Sequence, residues 1–80
     1  MKTFTIYGNS NCKFCNYSKE LLDGLHMNYN FILVNNVKEF LKNFNQNTIP
    51  VIYYGNEFIG GYTELVKYIN ETPLEYTDDF

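Results

Sequence analysis

The sequence predicts an α/β fold in which one mixed four-stranded sheet is flanked by three helices, in the order β-α-β-α-β-β-α. Short runs rich in apolar, β-branched and aromatic residues are typical of strands, and apolar residues at helical spacing recur between them. A strand joined through a helix to a second strand favours a right-handed parallel crossover. A Gly-Asn pair between the last two strand-like runs predicts an antiparallel hairpin. We therefore expect one domain over residues 1–80.

The N-terminal part predicts a strand, a loop and a helix. Residues 2–7 alternate apolar and β-branched positions, as half-buried strands do. Residues 8–11 are glycine, asparagine and serine, which favour a loop. From Cys12 the apolar period becomes helical, which predicts a first helix that runs to about His26. His26 is expected to be a solvated group near the helix C-terminus.

The central part predicts a second strand and a second helix. Residues 29–34 form a nearly continuous apolar run too short for a helix, which is typical of a strand buried on both faces. Asn36 followed three residues later by Glu39 resembles a capping box. An apolar stripe over residues 37–44 predicts the helix, and the polar residues 45–47 end it.

The C-terminal part predicts the hairpin and a third helix. Two strand-like runs flank Gly55 and Asn56, a two-residue signal for a primed turn. Thr63 can cap the third helix, and Pro73 ends it. The acidic tail, residues 72–80, is expected to be loose.

The composition narrows the class of protein. The 80 residues are 45% hydrophobic and 19% aromatic, which suits a compact domain and argues against disorder. The net charge is −3 and the six basic residues are scattered lysines, so no nucleic-acid partner is expected. No apolar run reaches the roughly 18 residues of a membrane span. Residues 1–3 lead straight into the strand pattern without an apolar signal region, so no signal segment is expected. We expect a cytoplasmic monomer without a membrane partner.

The only two cysteines, Cys12 and Cys15, are two residues apart where a strand gives way to a helix. In a reducing compartment such a pair is more often catalytic or metal-binding than a structural disulfide. His26, the only histidine, lies roughly 16 Å along the helix from Cys15. That distance is too long to complete a zinc site or to supply a general base, so no metal and no Cys-His hydrolase are expected. Redox chemistry fits the pair better.

The helix start predicts different roles for the two thiols. Helix N-termini favour a thiolate over a neutral thiol, and Cys12 occupies the cap position. Cys15 lies one turn further on the apolar face, so we expect it to be more buried and less readily ionised. Cys12 is predicted to attack a disulfide, and Cys15 to resolve the mixed disulfide that results. Lys13 is a candidate to stabilise the thiolate or to bind a substrate carboxylate, and simple solvation of its side chain is the alternative.

Three motifs resemble those of the glutaredoxin family. The segment YGNSNCKFC is similar to its active-site loop, NTIPVIYYGNEFIGG to its Thr-Val-Pro segment and hairpin, and GGYTEL to the signature before its last helix. The resemblance spans about residues 3–70. It implies a thioredoxin-like fold and a glutaredoxin-type thiol–disulfide oxidoreductase, with glutathione as co-substrate and no bound cofactor. Disulfide-containing proteins would be its clients, with ribonucleotide reductase as a candidate by family analogy only.

The resemblance also implies a glutathione groove. Pro50 would follow a cis peptide that brings the Ile49 backbone beside the active-site sulfur. The free amides at the start of the third helix would bind the γ-glutamyl α-carboxylate, and Glu64 its α-ammonium, unless Glu64 only stabilises its own helix. Gly61 is expected to permit close backbone approach or a positive φ. The candidate binding residues are Lys13, Phe14, Thr48, Ile49, Pro50, Gly61, Tyr62, Thr63 and Glu64.

Two departures from the family pattern concern glutathione binding. Lys13 and Phe14 stand where the family commonly has Pro-Tyr, and Asn9 stands where many members have a basic residue. The glycyl carboxylate of glutathione would then need Lys13 or Gln46. Two other functions stay open: a redoxin recharged by a thioredoxin reductase, and a glutaredoxin that binds an iron–sulfur cluster without turnover.

Overall fold

A computed structural model describes residues 2–71 of the chain. The elements are β1 (Phe4–Gly8), α1 (Lys13–Gly24), β2 (Tyr29–Leu33), α2 (Val37–Leu41), β3 (Val51–Tyr54), β4 (Glu57–Gly60) and α3 (Tyr62–Glu71). This is the predicted order, and the predicted α/β fold is confirmed. The tail that was expected to be loose lies outside the described residues. Among the described residues, no helix is long and apolar enough to cross a membrane.

The four strands form one mixed sheet in the order β2-β1-β3-β4. β1 pairs in parallel with β2 and antiparallel with β3, and β3 pairs antiparallel with β4. Because side chains alternate across a strand, Phe4, Ile6 and Gly8 share one face and are buried, whereas Thr5 and Tyr7 on the other face are partly exposed. The buried face of β1 is the one that carries the core.

The core lies between this face of the sheet and the helices α1 and α3. Burying an aliphatic or aromatic side chain of this kind contributes about 1.5–3 kcal/mol. The core residues are Phe4, Ile6, Leu22, Ile52 and Leu65. The rings of Tyr54 and Tyr68 pack on Phe4 with centroids 4.4 and 6.4 Å away. Since Leu22 belongs to α1 and Leu65 to α3, the same core holds both helices against the sheet.

The strand β2 differs from its prediction. The apolar run at residues 29–34 was expected to be buried on both faces, and that expectation is wrong. β2 is an edge strand, and Ile32 and Leu33 are 43% and 65% exposed. A continuous apolar run indicates a strand, but it does not distinguish the centre of a sheet from its edge. At the edge, fewer neighbouring residues bury the side chains of the strand.

Two helices are shorter than predicted. α1 ends at Gly24, and His26 two residues beyond is exposed with a left-handed backbone (φ 59°) that stops the helix. α2 ends at Leu41 rather than near Phe44, because Phe44 donates to the carbonyl of Leu41 in a tighter i→i−3 turn (3.0 Å). The predicted cap of α2 is confirmed: the Asn36 side chain accepts a hydrogen bond from the Glu39 N–H at 3.1 Å.

Candidate functional site

Cys12 and Cys15 form a disulfide at the start of α1. Cys12 is the N-cap residue, with an extended backbone (φ −93°, ψ 116°), and its sulfur accepts a hydrogen bond from the Cys15 N–H at 3.0 Å. Cys12 is partly exposed, whereas Cys15 is fully buried. In the reduced protein the same amide favours the thiolate form of Cys12, because helix N-terminal donors stabilise negative charge.

Gly8, the last residue of β1, lies directly against the buried cysteine. A Cβ atom on Gly8 would collide with the Cys15 sulfur and lie 3.1 Å from the Cys15 Cβ. Glycine is therefore required for β1 to pass this close to α1. Gly8 was expected in a loop and was not predicted as a site residue, since a glycine that ends a strand-like run is also a turn signal.

A loop segment approaches Cys12 from the other side. The Ile49–Pro50 peptide bond is cis, and the Ile49 carbonyl oxygen lies 3.7 Å from the Cys12 sulfur. Pro50 is buried at the entrance to β3, whereas Thr48 is exposed. The backbone of this segment is thus the nearest wall for anything bound to Cys12.

The side chain of Gln46 holds this segment in place. Its amide nitrogen donates to the carbonyl oxygens of Thr48 and Pro50, both at 2.9 Å. Two carbonyl acceptors at this distance require the nitrogen of the amide rather than its oxygen. Both N–H donors of Gln46 are used in this way, so the expectation that it binds the glycyl carboxylate is not supported. Its position is that of a clamp on the segment.

Most of the predicted binding residues line one groove beside Cys12. The groove has a volume of about 230 Å³. It is lined by Phe14, Gln46, Thr48, Ile49, Pro50, Gly61, Tyr62, Thr63 and Glu64. Eight of the nine predicted binding residues belong to this set. The ninth, Lys13, is exposed on α1 and does not line the groove.

The groove ends at the start of α3. The Leu65 N–H donates to the Gly61 carbonyl at 2.9 Å as the first bond of the helix, so Gly61 and not Thr63 is the cap residue. The predicted Thr63 cap is wrong, because a glycine already serves as a cap here. The Gly61 N–H donates to Glu64 Oε1 at 2.9 Å, which is half of a capping box. The amides of residues 62–64 remain without intrahelical acceptors.

The two adjacent glycines before α3 have different roles. Gly60 has the positive φ (125°) that was expected as one possibility for Gly61. A Cβ atom on Gly61 would lie 3.3 Å from Glu64 Oε1 and 3.6 Å from the Pro50 carbonyl oxygen. Because it has no side chain, Gly61 therefore permits the close approach between the start of α3 and the Pro50 segment.

Three aromatic rings meet at the rim of the groove. Phe14 stacks on Tyr62 with centroids 5.7 Å apart and planes at 28°. Tyr17 contacts both rings, at 5.5 Å from Phe14 and 5.8 Å from Tyr62. Phe14 and Tyr62 were predicted as binding residues, but Tyr17 was not. Its spacing of three residues from Phe14 on the same helix face is the signal that could have found it.

Charged groups are sparse around the groove. Among the described residues that line it, Glu64 is the only charged one. Within residues 2–71, no three His, Cys, Asp or Glu side chains come close enough together to hold a metal ion. Burial, together with the nearby carboxylates of Asp23 and Glu57, raises the pKa of Tyr29 and of Tyr68 respectively. Neither tyrosine lines the groove.

The glutaredoxin family model matches residues 4–59 of the chain. The match begins with β1, contains both cysteines and the Ile49–Pro50 segment, and extends into β4. It covers more than half of the sequence. No curated protein matches the chain.

Solved glutaredoxin structures share the fold. Glutaredoxin 1 from Francisella tularensis, complexed with cacodylate, is 21% identical with a TM-score of 0.75, over 89% of this chain and 95% of its own. The solution structure of glutaredoxin from Brucella melitensis is 26% identical with a TM-score of 0.75, over 90% and 83%. A buckwheat glutaredoxin–glutathione complex is 21% identical with a TM-score of 0.75, over 88% and 70%. The fold is therefore thioredoxin-like, and the chain belongs to the glutaredoxin family of thiol–disulfide oxidoreductases.

Proposed function

We propose that this protein uses glutathione to reduce protein disulfides and glutathione mixed disulfides through Cys12 and Cys15. The observation that carries the proposal is one groove that runs from Ile49, whose carbonyl oxygen lies 3.7 Å from the Cys12 sulfur, to the start of α3. Glutathione has a thiol in its middle and a charged amino-acid group at its γ-glutamyl end, so the two ends of the groove complement these two features. The buckwheat glutaredoxin solved with glutathione supports the choice of ligand.

In this proposal the γ-glutamyl carboxylate binds the free amides of residues 62–64, where the helix dipole favours an anion. Glu64 supplies the negative charge that attracts the α-ammonium group. One of its oxygens already accepts the Gly61 N–H. Because a carboxylate has two oxygens and several acceptor positions, Glu64 can cap its own helix and bind the ligand at once.

The reaction is thiol–disulfide exchange. The Cys12 thiolate attacks a client disulfide, the client S–S bond breaks, and the leaving sulfur takes up a proton. Cys15 then loses its proton and attacks the Cys12 sulfur of the mixed disulfide, which releases the second client thiol and forms the Cys12–Cys15 disulfide. Two molecules of glutathione return the pair to the dithiol and leave as glutathione disulfide. Two electrons thus pass from glutathione to the client.

The proposed reaction also suggests the cellular location of the protein and the class of its client proteins. The proposed location is the cytoplasm, because the reduced glutathione pool that recharges the dithiol is a property of that compartment. The proposed oligomeric state is a monomer. Its clients would be proteins with accessible disulfides. By family analogy alone, ribonucleotide reductase is a candidate client.

A coupled turnover assay tests the proposed function. The substrate is a mixed disulfide of glutathione and a small thiol, and the reductants are glutathione, glutathione reductase and NADPH. We expect NADPH oxidation that requires both the protein and glutathione. Turnover that depends on thioredoxin reductase and not on glutathione would indicate the alternative, a redoxin recharged by a thioredoxin reductase. A coloured preparation that binds an iron–sulfur cluster and shows no turnover would indicate a cluster carrier.

Replacing Glu64 by glutamine separates its two roles. Glu64→Gln keeps an oxygen for the Gly61 N–H but removes the charge, so the KM for the glutathione mixed disulfide should rise about fivefold, corresponding to about 1 kcal/mol. Glu64→Ala should raise the KM similarly and also lower the free energy of unfolding by about 0.5–1 kcal/mol, because the cap acceptor is lost. Steady-state kinetics and chemical denaturation measure the two effects.

The matched control for this pair is Glu71→Gln, which removes the same charge from the exposed far end of α3. The control should leave the KM near the wild-type value. If Glu64→Gln and Glu71→Gln gave the same KM, Glu64 would be a helix cap without a role in binding.

A further inference from the structure

Phe14, Tyr17 and Tyr62 form a contiguous surface that we name the aromatic platform. Each ring contacts the other two, with centroid distances between 5.5 and 5.8 Å. Phe14 and Tyr62 line the groove, but Tyr17 does not. The aromatic platform therefore begins at the groove and continues beyond it, one helical turn further along α1.

The aromatic platform is open to solvent both at Phe14 in the groove and at Tyr17, which is its outer part beyond the groove. Phe14 is 50% and Tyr17 is 42% exposed. Among the described residues, the hydroxyl groups of Tyr17 and Tyr62 have no hydrogen-bond partner, unlike those of Tyr29 and Tyr68. A rigid ring with a free hydroxyl offers apolar area and a polar contact at low cost in side-chain entropy, which is why tyrosine is common in binding surfaces.

Glutathione has nothing with which to cover this outer part. Both ends of glutathione are charged groups, its only side chain beyond them is the one that carries the thiol, and its third residue is a glycine without a side chain. A polypeptide client continues on both sides of its reacting cysteine and carries further side chains. An aromatic or aliphatic side chain next to that cysteine would remove apolar ring surface from water, which contributes about 25 cal/mol per Å².

We propose that the aromatic platform is the docking surface for polypeptide disulfides that carry an aromatic or aliphatic side chain next to the reacting cysteine. Tyr17 is the residue that distinguishes such a client from glutathione, because it belongs to the platform and lies outside the groove. The inference rests on the proposed function for the exchange chemistry at Cys12, but not for the identity of the reductant.

A single turnover with a peptide disulfide needs no reactant besides the reduced protein and the peptide. In a single turnover the reduced Cys12–Cys15 pair gives two electrons to the peptide disulfide, whose S–S bond is replaced by two thiols. The pair is left as a disulfide. Because no glutathione takes part, docking can be measured apart from recharging.

The test compares two peptide disulfides that differ only in carrying phenylalanine or serine next to the reacting cysteine. Prereduced protein should react with the phenylalanine peptide about five- to tenfold faster, a typical effect of an aromatic anchor. Tyr17→Ala should remove most of this preference, and Tyr17→Phe should retain it. The matched control is Phe58→Ala, which removes a ring that is 45% exposed on β4 and does not line the groove. The control should keep the preference.

Three outcomes would overturn the proposal. The first is equal rates of the wild-type protein with the two peptides, which needs no variant and holds even if Tyr17→Ala folds poorly. The second is an equal loss on both peptides in Tyr17→Ala, which would mean that Tyr17 only packs α1 against α3. The third is an equal loss on the small glutathione mixed disulfide, where we expect a loss at least fivefold smaller than on the phenylalanine peptide. A peptide preference without glutathione-dependent turnover would instead contradict the proposed reductant and leave the docking surface intact.

Discussion

Replacing Cys12 by serine abolishes turnover of disulfide substrates. The substitution removes the sulfur that accepts the Cys15 N–H and lies beside the Ile49 carbonyl, and a serine hydroxyl does not ionise to a comparable nucleophile near neutral pH. The kcat/KM in the glutathione-coupled assay should fall by at least about 10³-fold. Because serine is a favoured N-cap residue, α1 should form normally, and the far-UV circular dichroism of the reduced protein should match the wild type.

Replacing Cys15 by serine is the matched control, because it changes the same atom one helical turn away. Cys12 can still attack a disulfide, but nothing resolves the mixed disulfide from within the protein. Exposure to glutathione disulfide should therefore leave one glutathionyl group on the Cys15→Ser protein, seen as a gain in intact mass. Glutathione itself can release this group, so turnover of glutathione mixed disulfides should persist while reduction of protein disulfides falls. An adduct on Cys12→Ser and none on Cys15→Ser would reverse the assigned roles.

The order of elements could be predicted because each element carries its own local pattern. The Gly55-Asn56 pair marks the turn between β3 and β4, and Gly55 has the positive φ (63°) that such a turn needs. The Asn36 cap is equally local, since the donor that it accepts lies three residues away. The exposure of β2 could not be predicted, because it depends on the position of the strand in the sheet. That position is set by pairings between distant parts of the chain.

The groove could be predicted from its motifs, but its internal contacts could not. Each motif keeps its residues together in the sequence, which is why eight of the nine expected residues line the groove. The clamp by Gln46 depends on where a flexible side chain lies relative to a folded loop. The contact of Tyr17 with Tyr62 joins residues 45 positions apart and requires α1 and α3 to pack side by side. Such contacts follow from the fold rather than from any local pattern.

The contact between Gly8 and Cys15 is of this kind, and it predicts that a substitution at Gly8 has a large effect on stability. Gly8→Ala would place a methyl group on the Cys15 sulfur, which is fully buried. Cys15 cannot move away freely, because α1 is held to the sheet by Leu22 in the core. Overpacking at a buried contact costs about 1–3 kcal/mol. For a domain of this size, that is a large part of a total stability of about 4–12 kcal/mol.

We therefore expect Gly8→Ala to lower the free energy of unfolding by about 1–3 kcal/mol, measured by chemical denaturation under reducing and oxidising conditions. Displacement of the Cys15 sulfur should also slow the reduction of protein disulfides more than that of glutathione mixed disulfides, because only the former needs the second thiol. The matched control is Gly24→Ala at the end of α1, where a Cβ atom meets nothing within 4 Å. Alanine is the better helix former, so the control should be neutral or stabilising by up to about 1 kcal/mol. If Gly8→Ala were as stable as Gly24→Ala, the close approach of β1 to Cys15 would not constrain the site.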